Sequence, residues 1–252
     1  TYGFNLFCIS LFTSPAIFIL TNTKKNVSIC LFFLATTICF YIYGFSYKEK
    51  FNSLNKEFFD YKIRVIGSNI GIDKFYSNID TISVIEELIE ISKPNNEEKT
   101  IFIWPEGILP GISQEKLIEF DWIFEKNFSD NHILVIGINK QSIDNDHINY
   151  FNSFSVYNNK LNLISSYNKI NLVPFGEFLP FEDILGKFGL SSITNNYQSF
   201  SSGDKRDIIE IKKQNFTLKI LPLICYEIIY SGRLFNNSDF DLIINISEDG
   251  WF

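Results

Sequence analysis

Two long uncharged apolar stretches open this chain, and they constrain its fold more than any other feature. Val27 to Phe45 runs for 19 residues without a charged side chain, close to the ~20 residues that cross the hydrocarbon core of a bilayer. Phe4 to Leu20 is a second run, and Thr21 to Asn26 is a polar connector between them. Both runs are apolar all round, which argues against a helical pair striped to pack on a soluble core. A cleaved signal sequence explains only one of them, and no small-residue cleavage pattern follows Phe45. The expectation is two transmembrane helices, approximately residues 4–20 and 27–45, followed by a domain over 46–252.

Charge divides the chain at the same place. Residues 1–45 hold no acid and only Lys24 and Lys25 as bases, so all 29 acidic residues lie beyond, with all but two of the 22 basic ones. Such an acidic domain lacks the basic face of a nucleic-acid binder, so no nucleic-acid partner is expected. Lys24 and Lys25 mark the connector as cytoplasmic, but Lys48, Lys50 and Lys56 follow the second run, and the charge rule alone leaves orientation open. The chain has no methionine and reads as an internal fragment, with its domain truncated at the C-terminal side.

Beyond Phe45 the pattern alternates. Ile63 to Ile70 reads as a strand. Asp80 reads as the cap of a helix carrying Ile82, Ile85, Leu88 and Ile89, with Pro94 stopping it. Thr100 to Trp104 is a short buried strand. Ser113 is a candidate cap for a helix with Leu117, Ile118, Phe120 and Phe124 inward. Ile133 to Ile138 is another strand. Tyr150 to Tyr157 and Leu161 to Tyr167 alternate as a hairpin around Asn158, Asn159 and Lys160. Phe216 to Ile224 and Leu242 to Ile246 complete the set. This order implies an α/β domain with a mixed sheet covered by helices. Phe178 to Ser202 has no clean period, and reads as a loop that packs on the domain, dips into lipid or gates a site.

Chemistry gathers at three strand ends. Cys225 closes the run Leu218 to Ile224 and is followed by Tyr226 and Glu227. Cys8, Cys30 and Cys39 lie in the apolar runs as small hydrophobes, so the domain holds a single thiol. Glu106 ends Trp104-Pro105-Glu106, and Lys169 ends Tyr167-Asn168-Lys169. Taken singly, each has an ordinary reading: a surface glutamate, a solvated lysine, a buried inert cysteine. Taken together they sit where active sites of α/β sheets form. A thiol of pKa ~8.5 is mostly protonated at neutral pH. A carboxylate can take its proton, and an ammonium can stabilise the thiolate and then an oxyanion. His132 and His147 lie in no motif, which makes a Cys-His pair the poorer reading. Metal-ligand spacing, a Gly-rich phosphate loop and a Gly-x-Ser-x-Gly elbow are all missing from the sequence. Neither a metal nor a cofactor is expected.

Four stretches carry a resemblance: Ile103-Trp104-Pro105-Glu106, YNKINLVPFGEFLP from Tyr167 to Pro180, Ile224-Cys225-Tyr226-Glu227, and NISEDGWF from Asn245 to Phe252. The chain resembles the nitrilase superfamily, with its Glu-Lys-Cys triad, and within it the apolipoprotein N-acyltransferase family of bacterial inner membranes. The resemblance implies a nitrilase-like αββα sandwich on the periplasmic side of a larger helical bundle, which makes the Lys24-Lys25 loop cytoplasmic. It implies Cys225 as nucleophile, Glu106 as general base and Lys169 as oxyanion stabiliser. Glu177 matches a second essential glutamate, Tyr226 and Glu227 match residues that shape the site, and Phe75 and Trp251 fall at substrate-contact positions. The implied reaction is ping-pong. An acyl chain leaves a phospholipid donor, forms a thioester on the cysteine, and passes to the N-terminal amine of a diacylglyceryl-modified apolipoprotein. The chain departs from the family pattern at Gly67-Ser68-Asn69, at Phe75 in place of tryptophan, at Asn171 in place of histidine, and at Glu248-Asp249. Two other readings compete: a superfamily hydrolase that resolves its thioester with water from a small amide, and a membrane-tethered scaffold with a decayed site.

Overall fold

The computed structural model describes residues 2–20, 24–53, 59–67, 80–109, 111–144, 147–180, 199–213, 216–230 and 239–248. The chain divides into two compact units, Thr1–Phe58 and Phe59–Phe252.

The first unit is a helical hairpin. Helix α1 (Tyr2–Thr13) passes through a 3-10 turn at Ser14–Ala16 into the short α2 (Ile17–Leu20), and α3 spans Lys24–Ser53. Pro15 lies in the first turn of the 3-10 segment, where its missing N–H is no loss but an unbroken α ladder is. The Asn26 amide donates to the Ile17 carbonyl at 3.3 Å. The Phe7 ring meets Phe33 and Phe40 at centroid distances of 5.8 and 5.3 Å. Asn26–Ser53 is long and apolar enough to cross a membrane, since 28 residues rise about 42 Å against a core of about 30 Å. Gly3–Ala16 is a shorter apolar helix. Of the two expected spans, one therefore meets the length requirement among the described residues. Helix α3 also continues past Phe45, because Lys48, Glu49 and Lys50 are good helix formers.

The second unit is a sandwich. One sheet has the order β1-β2-β3-β4-β5, with β1 Lys62–Val65, β2 Thr100–Ile103, β3 His132–Asp144, β4 His147–Asn158 and β5 Leu163–Asn168. The β1-β2-β3 pairings are parallel and β3-β4-β5 antiparallel. The other sheet has the order β6-β7-β8, with β6 Ile209–Lys213, β7 Phe216–Ile224 and β8 Leu242–Ile246. Helices α4 (Thr81–Ser92) and α5 (Asp121–Asn127) pack on the outer face of the first sheet. Val84, Leu88, Phe102, Phe124, Leu134 and Ile136 fill that layer. Ile101, Val135, Phe154, Ile211, Ile220 and Ile244 fill the layer between the sheets. Two apolar layers on opposite faces of β2 and β3 explain why those strands read as continuous apolar runs.

Asp80 caps α4 as expected, accepting from the Ile82 N–H at 3.2 Å. Ser113 caps no helix. It makes an isolated bridge to Asn139, and a 3-10 turn over Leu117–Phe120 precedes α5. Strand β1 ends at Val65, short of the expected Ile70, and residues 68–70 lie outside the described residues. Most of the unpatterned stretch 178–202 does too.

Candidate active site

Each chemical group is set by the end of a strand. Beyond β2, Trp104 is fully buried and donates its indole N–H to Ser92 Oγ at 3.0 Å, which anchors the turn that carries Glu106. Gly137 of β3 runs beneath this turn. A Cβ there would come within 2.4 Å of Glu106 Cα and of the Pro105 carbonyl oxygen, so only glycine lets the strand pass. Lys169 follows β5, its N–H donating to the Asn152 carbonyl at 2.8 Å and its own carbonyl accepting from Gly203.

These elements bring Lys169 to two carboxylates. Its Nζ lies 2.9 Å from Glu177 Oε1 and 3.4 Å from Glu106 Oε1. Lys169 is 1% exposed. Glu177 sits in a tight turn closed by the Phe175 N–H on the Phe178 carbonyl, and its Oε2 accepts from the Val173 N–H at 2.9 Å. Asn152 of β4, absent from the sequence reading, donates from Nδ2 to both Glu106 Oε1 at 2.6 Å and Glu177 Oε1 at 2.9 Å. Burial raises the Glu106 carboxyl above the usual range, and the Glu177 charge adds to this, while Lys169 and the Asn152 hydrogen bond oppose it. Burial pushes the Lys169 ammonium down, but Glu106 and Glu177 outweigh it, and the group is raised.

Cys225 approaches from the other sheet. It follows β7 and opens a 3-10 helix over Cys225–Ile229 with a left-handed φ of 54°. A non-glycine residue in that region is strained and held there by its surroundings. Burial raises the thiol above its ordinary value. Glu106 raises it further, and Lys169, Ser247 and the Tyr226 backbone oppose that rise. The sulfur therefore lies within the electrostatic reach of both the acid and the ammonium.

Glu227 holds this bend in place. It is fully buried. Its Oε1 accepts from Arg206 Nη2 at 2.7 Å, the Tyr167 hydroxyl at 2.7 Å, and the Ile170 and Asn171 N–H groups at 3.1 and 3.2 Å. Its Oε2 accepts from the Ile224 N–H at 3.0 Å. Tyr226 is half-exposed beside the thiol. Ile170, Leu172, Phe178, Phe200 and Tyr230 line a neighbouring cavity of about 520 Å³. Phe75 and Trp251 lie outside the described residues. No cluster of His, Cys, Asp and Glu suited to a metal occurs among the described residues.

Of the residues expected from the sequence, Glu106, Lys169 and Glu177 meet in one cluster, with Cys225, Tyr226 and Glu227 on the neighbouring bend, and the structure adds Asn152, Gly137 and Arg206 to them. Asn152 lies mid-strand, where alternation alone marks it as one more inward polar residue.

This acid, ammonium and thiol, collected at strand ends of a two-sheet sandwich, belong to a recognisable class. Residues 62–252 match the profile of the carbon-nitrogen hydrolase family, and the chain is a member of that family. Among its relatives, the apolipoprotein N-acyltransferase of Rhizobium leguminosarum bv. trifolii is 30% identical over 186 residues, 71% of this chain and 34% of that protein. The apolipoprotein N-acyltransferase of Allorhizobium ampelinum is 24% identical over the whole chain and 47% of its own length. The chain thus spans less than half the length of these curated relatives. A solved N-terminal amidase bound to an Asn-Glu-Ala peptide is more distant, with 16% identity, a TM-score of 0.41, and coverage of 66% of this chain and 40% of that one.

Proposed function

We propose that this chain is the catalytic part of an N-acyltransferase that moves an acyl chain from a phospholipid to the α-amino group of a diacylglyceryl-cysteine apolipoprotein. The observation that carries this reading is the buried cluster of Glu106, Lys169 and Glu177 beside a Cys225 held at a strained left-handed φ. The likeness to apolipoprotein N-acyltransferases and the membrane-length helix α3 support the lipid substrates over small soluble ones.

In this reading Glu106 takes the Cys225 proton, and the sulfur attacks the ester carbonyl carbon. Lys169 stabilises the oxyanion of the tetrahedral intermediate. The intermediate collapses to a thioester, and Glu106 returns the proton to the leaving lysophospholipid oxygen. The free amine then attacks the thioester and loses a proton to Glu106, and Glu106 returns that proton to the departing Cys225 sulfur as the amide forms. Glu177 holds Lys169 charged, and Glu227 with Tyr226 shapes the bend that presents the sulfur. The second apolar run, a multi-pass bundle, an inner-membrane location and a periplasmic catalytic domain belong to the same proposal.

The test uses the full-length protein in detergent with a phospholipid bearing an alkyne acyl chain. Mass spectrometry is expected to find the acyl adduct on Cys225 and to lose it on addition of a diacylglyceryl-cysteine peptide, with N-acyl peptide as product. Cys225→Ala is expected to give no adduct while remaining folded. An adduct discharged only by water would replace the transferase reading with a hydrolase. A folded wild-type protein that forms no adduct would remove both.

A further inference from the structure

The two carboxylates at Lys169 are not equivalent, and the difference traces to one neutral residue. Glu177 has both oxygens engaged: Oε1 by Lys169 and Asn152, Oε2 by the Val173 N–H. Glu106 has only Oε1 engaged among the described residues, by Asn152 at 2.6 Å and by Lys169 at 3.4 Å. Asn152 gives Glu106 its shorter contact, and Lys169 lies nearer to Glu177. The orientation of the amide follows from chemistry, because an oxygen facing two carboxylates would set lone pairs against lone pairs. Its Oδ1 is left buried without a hydrogen-bond partner among the described residues. Asn152 is itself buried, and its carbonyl fixes the Lys169 backbone.

We infer that Asn152 is a positioning residue, which clamps Oε1 of Glu106 against Glu177 and leaves Oε2 as the oxygen that receives the Cys225 proton. This rests on the reading of Glu106 as the general base. Two like charges focused on one ammonium repel each other. A charge-free donor shared between them holds them together without a counter-charge that would compete with Lys169. The charged and titratable groups facing Glu106 are Lys169, Glu177 and Cys225. Without the amide, Glu106 keeps its burial and its repulsion from Glu177 but loses a hydrogen bond that favours its ionised form.

The test follows alkylation of Cys225 by iodoacetamide and acyl-adduct formation from the alkyne phospholipid, each across pH, in the full-length protein. Asn152→Ala is expected to slow both at least tenfold, against the ~10²–10⁴-fold typical of removing a general base. It is also expected to move the acid limb of both profiles to higher pH. Asn152→Asp keeps the shape and adds a third carboxylate. It is expected to lose more than the alanine variant at neutral pH and to recover part of that loss at lower pH, where one acid of the cluster is protonated. Should Asn152→Ala not fold, this isosteric variant decides the question. A folded variant with unchanged rates, or with slowed rates and an unmoved acid limb, overturns the inference. Glu106→Gln separates the two levels. If it leaves alkylation unchanged, the base reading itself fails. If it slows alkylation while the Asn152 variants do not, only the role of Asn152 fails.

Discussion

Two buried acid clusters flank Cys225, and they are built to opposite ends. At Glu227 one carboxylate faces one guanidinium, a hydroxyl and three backbone N–H groups, with donors on both oxygens. At Lys169 two carboxylates share one ammonium and one amide, and Glu106 keeps an oxygen without a donor among the described residues. The first cluster is saturated and serves as a brace. The second has proton-accepting capacity left and a carboxyl raised by burial. Burial of charge therefore does not by itself distinguish the two clusters. Unspent hydrogen-bonding capacity beside the thiol does.

The comparison predicts different losses on the two sides. Glu106→Gln removes the acceptor and is expected to lower acyl-adduct formation by about 10²–10⁴-fold, with an unchanged melting transition. In the proposed mechanism, the working form of Glu106 is the ionised one. Because its carboxyl is raised, adduct formation is expected to fall off on acidification at a higher pH than an ordinary glutamate would give. A pH–rate profile checks this. Glu227→Gln should do the reverse. It leaves Arg206 buried opposite a neutral group and is expected to cost about 3–5 kcal/mol of stability, read by denaturant unfolding. A stable but inactive Glu227→Gln protein would break the comparison.

Gly137→Ala tests whether position alone matters at the reactive cluster. The added methyl group forces the Glu106 turn outward. The expected effects are up to about 10²-fold slower adduct formation and about 1–3 kcal/mol of destabilisation. Tyr167→Phe is the mildest change. It removes one of several donors to Glu227 and is expected to cost about 1–2 kcal/mol, with adduct formation nearly unchanged. A large activity loss here would show the brace to be less redundant than its contacts imply.

Much of this architecture was legible from residue order. The strands before Glu106 and Cys225 are apolar runs closed by a change of character, the strand before Lys169 is an alternating one, and both patterns survive translation into structure. The helix cap at Asp80 is local chemistry and was readable for the same reason. What was missed depends on partners distant in sequence. Strand β3 continues from Ile138 to Asp144 because β4 pairs with its polar tail. Strand β6 is short, with Ile209 and Ile211 inward, Glu210 between them, and Lys212 and Lys213 after. Gly137 is required by a turn some thirty residues earlier, and Asn152 by acids on either side of it in the chain. Ser113 misled because its sequence context fits a cap, whereas its backbone is taken by Asn139.

The thiol and the acid and ammonium beside it come from different sheets: Glu106 and Lys169 follow β2 and β5, and Cys225 follows β7. During synthesis the first sheet emerges before the strand that carries the thiol. A nascent chain that has formed only this part holds the acid and the ammonium without the thiol. The three groups meet only when the second sheet docks on the first, so the cluster depends on the completed sandwich rather than on either sheet alone.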